Sequence, residues 1–224
     1  MKAELETLQN EKKPMIALTF DDGPSEQTLK ILDVLEKHNA HASFFIMGQN
    51  AEAQKHIIER AYRAGNEILS HAWSHKDLAT LSSEEIKKEL QDTENIIRTI
   101  IGECPKLYRP PYGHVNETVK SVSAKLGYSL INWSIDPLDW ECKDPDIIYS
   151  EIMRFAHDDA IILCHDLIQN SNDATPNAME RVIPSLLEKY RLVTISELFK
   201  GLPLEKGAVY DKGGENYKDI WVKP

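Results

Sequence analysis

The chain has 224 residues, 42% hydrophobic and 28% charged, enough to bury one sizeable core without disulfide or metal staples. Its formal net charge of -10 disfavours a polyanionic partner, so nucleic acid is not expected, whereas a neutral sugar polymer is compatible with it. No apolar run is long enough to cross a bilayer, and the three cysteines, Cys104, Cys142 and Cys164, lack paired spacing, which points to free thiols with at least Cys164 buried.

Residues 1–14, MKAELETLQNEKKP, form a polar N-terminal segment without the apolar centre of a secretory signal. Seven short apolar runs follow, at 15–20, 42–47, 66–70, 106–110, 128–133, 160–165 and 191–195. They are unrelieved by alternating polar residues, the pattern of strands buried on both faces. Helical patterns lie between them. The first covers 26–38, and the second covers 51–64 and stops before Gly65. A third runs from an N-cap at Ser82 or Ser83 to Gly102. The fourth spans 116–126 before Gly127, the fifth opens on Asp144 and Pro145, and the sixth covers 176–189. This alternation predicts parallel β/α units, closed as a barrel or open as a sheet, with about seven strands against the eight of a TIM barrel. Residues 201–224 are Gly-rich without a clear period and are expected to pack on the domain as a tail.

In parallel β/α folds, ligands bind beyond the C-terminal ends of the strands. Chemically capable residues collect there: Asp21 and Asp22, His71 and His75, Arg109 and Tyr112, then Asp136, Asp139 and Trp140, and finally His165. His71 and His75 are four apart, a spacing that in a helical turn brings both imidazoles to one side, within reach of one metal ion. The intervening Ala72-Trp73-Ser74 contains no Glu, so the zinc-protease pattern is not met and a third ligand must come from elsewhere. A carboxylate at a neighbouring strand end is suitable. Two His and one carboxylate with open positions describe a catalytic metal site. One member of the Asp21–Asp22 pair would then bind metal, leaving the other for proton chemistry; the bland alternative is that both cap the following helix.

Taken in order, TFDDGP (19–24), SHAWSH (70–75), RPPYG (109–113), DPLDW (136–140) and ILCH (162–165) closely resemble the five motifs of the polysaccharide deacetylases, carbohydrate esterase family 4. The resemblance implies an α/β fold, a distorted (β/α)7–8 barrel of parallel strands with the active site at the C-terminal strand ends. It implies a catalytic domain at 15–200 and one divalent metal ion, zinc first, with cobalt, nickel or manganese as substitutes. By the same resemblance, Asp22, His71 and His75 are the metal ligands. Asp21 looks like the general base and Arg109 like its ion-pair partner. The backbone amide of Tyr112 resembles the oxyanion donor, and His165 the general acid oriented by Asp139. Trp140 and Leu163, with Tyr112, match substrate contacts around the acetyl group. Ala72 and Cys164 depart from the residues common at their places, neither in an essential role.

The substrate implied is a polysaccharide or oligosaccharide, with N-acetylglucosamine units of peptidoglycan first. Chitin oligosaccharides, acetylxylan and a non-catalytic sugar-binding role are the alternatives. A monomer without membrane contact by this segment is expected. A wall polymer places the protein outside the membrane, with a leader or anchor lying outside this sequence; a cytoplasmic location stays open.

Overall fold

A computed structural model describes residues 12–168 and 173–211. Eight strands alternate with helices: β1 (Met15–Asp21), β2 (Ser43–Ile46), β3 (Glu67–Ser70), β4 (Leu107–Tyr108), β5 (Ser129–Ile131), β6 (Ile161–His165), β7 (Arg191–Leu192) and β8 (Val209–Tyr210). Every pairing is parallel, in the order β6-β1-β2-β3-β4-β5-β8, with β7 alongside the start of β1. An isolated parallel bridge between Ile135 and Ile162 joins the chain leaving β5 to β6. The curved sheet therefore comes round on itself, and the eight-stranded circle of a TIM barrel is replaced by a distorted one.

The continuous apolar strands are explained by burial on two faces. Along β1, Ile16, Leu18 and Phe20 pack outward against the helices, while Ala17 joins Phe45, Leu69, Leu107, Ile131 and Ile161 inside. Because strand side chains alternate with a period of two, the inward set continues at the strand ends as Asp21 after Ala17, His71 after Leu69, Arg109 after Leu107 and His165 after Ile161. The polar rim is thus an extension of the interior face.

The helices are α1 (Glu26–Lys37), α2 (Gly48–Ala51), α3 (Lys55–Arg63), α4 (Ser83–Ile101), α5 (Glu117–Leu126), α6 (Pro145–Phe155), α7 (Ala174–Lys189) and α8 (Ile195–Leu198). Ser82 caps α4 with a reciprocal bond from Glu85, and Gly102 and Gly127 end α4 and α5 in the left-handed conformation. The helix expected at 51–64 begins only at Lys55, after a turn at 52–54 that separates it from the short α2. The break falls at Gln54 (φ -118°, ψ 25°), where no Gly or Pro announces it. Residues 209–210, read as part of a periodless tail, add β8 beside β5. Two residues are too few to carry a period. The remainder of that tail, 212–224, and residues 1–11 of the N-terminal segment lie outside the described residues. No helix among the described residues is long and apolar enough to cross a membrane.

All three thiols are free; Cys104 and Cys164 are buried and Cys142 is partly exposed. Burial pushes the Cys104 thiol up to about 12 and Cys164 well above its ordinary value. A thiol-specific chromogenic reagent should therefore label one residue quickly in the native protein, and Cys142→Ser should abolish that phase. A second fast thiol would contradict this burial pattern.

Candidate active site

The site begins with Arg109, which is wholly buried at the end of β4. Its Nη1 donates to Asp21 Oδ1 at 2.7 Å and Thr19 Oγ1 at 2.8 Å, and its Nε donates to the carbonyl of Ile131 at 3.1 Å. Nη2 reaches the carbonyl of Asn132 at 3.2 Å, and the guanidinium lies 4.1 Å from the Phe45 ring centre. Asp21 thus spends one oxygen on the cation. Its other oxygen, Oδ2, stands 3.8 Å from His71 Nε2.

Asp22 follows with φ 78°, which turns its carboxylate away from the β1 alternation and toward the histidines. Its Oδ1 is buried, 3.1 Å from His75 Nε2 and 3.4 Å from His71 Nε2, yet aligned as a hydrogen bond with neither. Burial pushes the Asp22 carboxyl up, but the two imidazoles outweigh that and hold it well below the usual carboxylate range. His71 Nδ1 lies 2.8 Å from the carbonyl of Arg109. A carbonyl can only accept, so that nitrogen carries the proton, and in the neutral ring Nε2 would offer its lone pair to a metal ion beside Asp22.

This donor set fits a divalent metal ion. One oxygen of Asp22 and one nitrogen from each His lie within 4.8 Å of one another. Two donors about 2.0–2.1 Å from a tetrahedral zinc stand roughly 3.3–3.4 Å apart, close to the spacings around Asp22 Oδ1. The orphaned carboxylate oxygen and the fixed His71 tautomer suit the same occupant. The expectation of a helical turn at 71–75 is corrected: the segment is a loop in which Ala72 (φ 60°) and His75 (φ 57°) are left-handed. The ring centres still lie 5.1 Å apart, because the loop doubles back.

The acidic pair does not cap α1. Ser25 does so, accepting from Gln27 N at 3.0 Å while its own N–H donates to Thr28 Oγ1 at 2.8 Å. The turn carrying the pair is tied to Asp166, whose carboxylate accepts from the Gly23 N–H at 2.8 Å and the Thr28 hydroxyl at 2.6 Å. The Asp166 N–H donates to the carbonyl of Asp21 at 3.1 Å. A Cβ on Gly23 would fall 2.3 Å from that carboxylate, so the turn needs glycine there. Burial pushes the Asp166 carboxyl up to about 7, against the Thr28 hydrogen bond.

Across the cleft, His165 pairs in register with Asp21. Asp139, fully buried, accepts from His165 Nδ1, the His165 N–H and the Thr175 hydroxyl, each at 2.8 Å. The His165 Nε2 is left to the cleft. Burial pushes the imidazole down, but the charge and hydrogen bond of Asp139 prevail and raise it to about 10.

The cleft between these groups has a volume of about 530 Å³ and contains Asp21, Asp22, His71, His75 and His165. Its walls include the remaining expected contacts, Tyr112, Trp140 and Leu163. Tyr112 (φ 62°) and Trp140 are exposed at the mouth, and Leu163 is buried at the base. The Tyr112 ring lies edge-on to His75 at 4.6 Å.

Sequence reasoning missed Trp133, Leu167 and Ile168 in the wall, and Asp166 behind it. Asp136, named above among the rim residues, accepts from the Leu138 N–H at 2.8 Å and lines the cleft. Burial pushes its carboxyl up to about 6. The signal available for Asp166 was its place directly after the motif ending at His165. His114 pairs with Asp77 at 2.9 Å in an adjoining depression beside Tyr112.

The family model for polysaccharide deacetylases matches residues 8–131. The peptidoglycan-N-acetylmuramic acid deacetylase PdaC of Bacillus subtilis (strain 168) is 40% identical over 195 residues, 86% of this chain and 40% of that protein. A peptidoglycan-N-acetylglucosamine deacetylase of Bacillus cereus is 35% identical over 190 residues, 84% of this chain and 69% of that protein. The chain thus spans less than half the length of the first relative and about two thirds of the second. Among solved structures, a family 4 acetyl xylan esterase from Clostridium thermocellum in complex with a cobalt ion superposes with a TM-score of 0.83 at 32% identity. That match covers 88% of this chain and 98% of the other.

The Asp139–His165 pair makes a signed prediction for the metal-free protein. Because the folded value lies above the ordinary 6.5, charged His165 stabilises the fold fully below about pH 6.5, and that contribution is lost as pH rises through about 10. Asp139→Asn removes the largest influence that raises the imidazole, so the His165 resonance in NMR should titrate at lower pH. An unmoved titration would contradict the assignment.

Proposed function

This chain belongs to the polysaccharide deacetylase family, and from that premise we propose that it is a metal-dependent hydrolase. In this reading it removes N-acetyl groups from N-acetylglucosamine units of peptidoglycan, and residues 15–200 are the catalytic unit. The observation that carries the proposal is the convergence of Asp22, His71 and His75 on one point of a cleft flanked by Asp21 and His165. Both relatives named above act on peptidoglycan by name, which supports this substrate and an extracellular or wall-associated site of action.

A divalent metal held by Asp22, His71 and His75, zinc in the first instance, would polarise the acetyl carbonyl and lower the pKa of water from 15.7 to roughly 7. Cobalt is the ion named with the xylan esterase structure. The chain's own groups do the rest. Asp21 Oδ2, with Oδ1 anchored by Arg109, accepts the proton of the attacking water. The Tyr112 N–H, carried on a left-handed residue after two prolines, meets the charge that grows on the carbonyl oxygen. His165, held charged by Asp139, donates from Nε2 to the departing nitrogen, which must leave as a neutral amine. Leu163 packs the acetyl methyl from below, and Trp140 and Tyr112 offer ring faces to the sugar at the mouth.

Acetylxylan is the second reading, favoured by the likeness to the xylan esterase. The same groups would cleave an O-acetyl ester, and a panel of wall glycan, chitin oligomers and acetylated xylan separates the readings. Acetate release should fall to background on chelation and return with zinc or cobalt. Asp21→Asn should lower turnover by roughly 10²–10⁴-fold, measured at a temperature where the variant, destabilised by loss of its ion pair with Arg109, is still folded. Binding of glycans without acetate release from any of them would instead mark a non-catalytic sugar-binding module.

A further inference from the structure

Two of the three donors around the proposed metal centre have a visible anchor. Asp22 is carried on the turn that Asp166 fixes, and the His71 ring is held by the carbonyl of Arg109. His75 has no hydrogen bond to its Nδ1 among the described residues, so its aim depends on the backbone that carries it. That backbone holds two left-handed residues without being glycine, Ala72 and His75, a conformation that side chains with a Cβ adopt only when the surroundings impose it.

The surroundings are specific. Glu89, a buried carboxylate near the middle of α4, directs both oxygens at the loop. Its Oε2 accepts from the N–H groups of Trp73 and Ser74, each at 2.8 Å, and its Oε1 accepts from the Ser74 hydroxyl at 2.7 Å. On the opposite side, the carbonyls of Ala72 and Trp73 accept from the N–H groups of Gly48 and Gln49 at 3.0 and 3.1 Å. A Cβ on Gly48 would lie 2.4 Å from the Trp73 ring, so α2 reaches the loop only because residue 48 is glycine. A buried carboxylate is expensive unless donors satisfy it, and Glu89 is met by three donors from the loop between the two histidines.

We propose that Glu89 is a positioning residue for His75: by gripping the backbone of residues 72–75 it sets the His75 imidazole where it can share a cation with Asp22 and His71. This rests on the metal centre proposed above. What matters is the pattern of hydrogen bonds, and the negative charge is secondary. A glutamine at 89 can reproduce that pattern, its carbonyl accepting from both N–H groups and its amide donating to Ser74. An aspartate keeps the charge but is one methylene short of the loop.

The test is competition between the protein and a chromophoric chelator for Co²⁺, using the full chain as wild type, Glu89→Gln, Glu89→Asp and Glu89→Ala. Denaturation of each metal-free form is followed alongside. Wild type and Glu89→Gln should bind within about threefold of each other. Glu89→Asp and Glu89→Ala should bind at least tenfold more weakly, in the 10–100-fold range typical when a partner of a metal ligand is lost. The Gln and Asp variants decide the matter even where the alanine variant does not fold. Tight binding by a folded Glu89→Asp, or a loss in Glu89→Gln equal to that in Glu89→Asp, overturns the role of Glu89 and leaves the metal centre standing. No Co²⁺ uptake by wild type overturns the metal centre itself.

Discussion

The ion pair between Arg109 and Asp21 is the constraint from which the rest of the site follows. A guanidinium with no exposure is tolerable only when its charge and donors are met, and here Asp21, Thr19 and two backbone carbonyls meet them. Removing one partner of such a pair typically costs about 3–5 kcal/mol, because the other charge is left buried and alone. The consequence for function is an asymmetry. Two adjacent carboxylates would otherwise compete for one cation; Arg109 claims an oxygen of Asp21 and leaves Asp22 beside the two imidazoles.

Placement of these groups is a matter of strand parity and register. Asp21 faces inward because Ala17 and Thr19 do, and parallel pairing sets it across from His165 on β6. The end of β3 is hydrogen-bonded to β4 through the Arg109 N–H and the Ser70 carbonyl at 3.1 Å. His71 therefore arrives next to Arg109, whose carbonyl then fixes its tautomer. One residue thus pairs with Asp21 through its side chain and orients a histidine through its backbone. On the far wall Asp139 holds His165 in its charged form in a buried setting.

Much of this was legible in the chain. Seven apolar runs became seven strands because burial on both faces leaves an unmistakable mark, and the rim residues could be found simply by reading past each run. The sense of the His71–His75 spacing was right and its geometry wrong: a period of four suggests a helix, but here left-handed residues and Glu89 fold a loop to the same effect. The break at Gln54 and the two-residue β8 escaped because neither carries a Gly, Pro or hydrophobic period that local reasoning can use. Asp166 and Glu89 escaped for a different reason. Each acts on segments distant in sequence, Gly23 from 143 positions away and Trp73 from 16, so its meaning appears only once the chain is folded.

The central claim is the division of labour between the two adjacent carboxylates, and metal stoichiometry tests it most directly. Calorimetric titration of chelated protein with Zn²⁺ should give one equivalent for wild type and for Asp21→Asn, and none at micromolar concentration for Asp22→Asn. Retained uptake in the Asp22 variant, with loss in the Asp21 variant, would reverse the assignment and contradict the account.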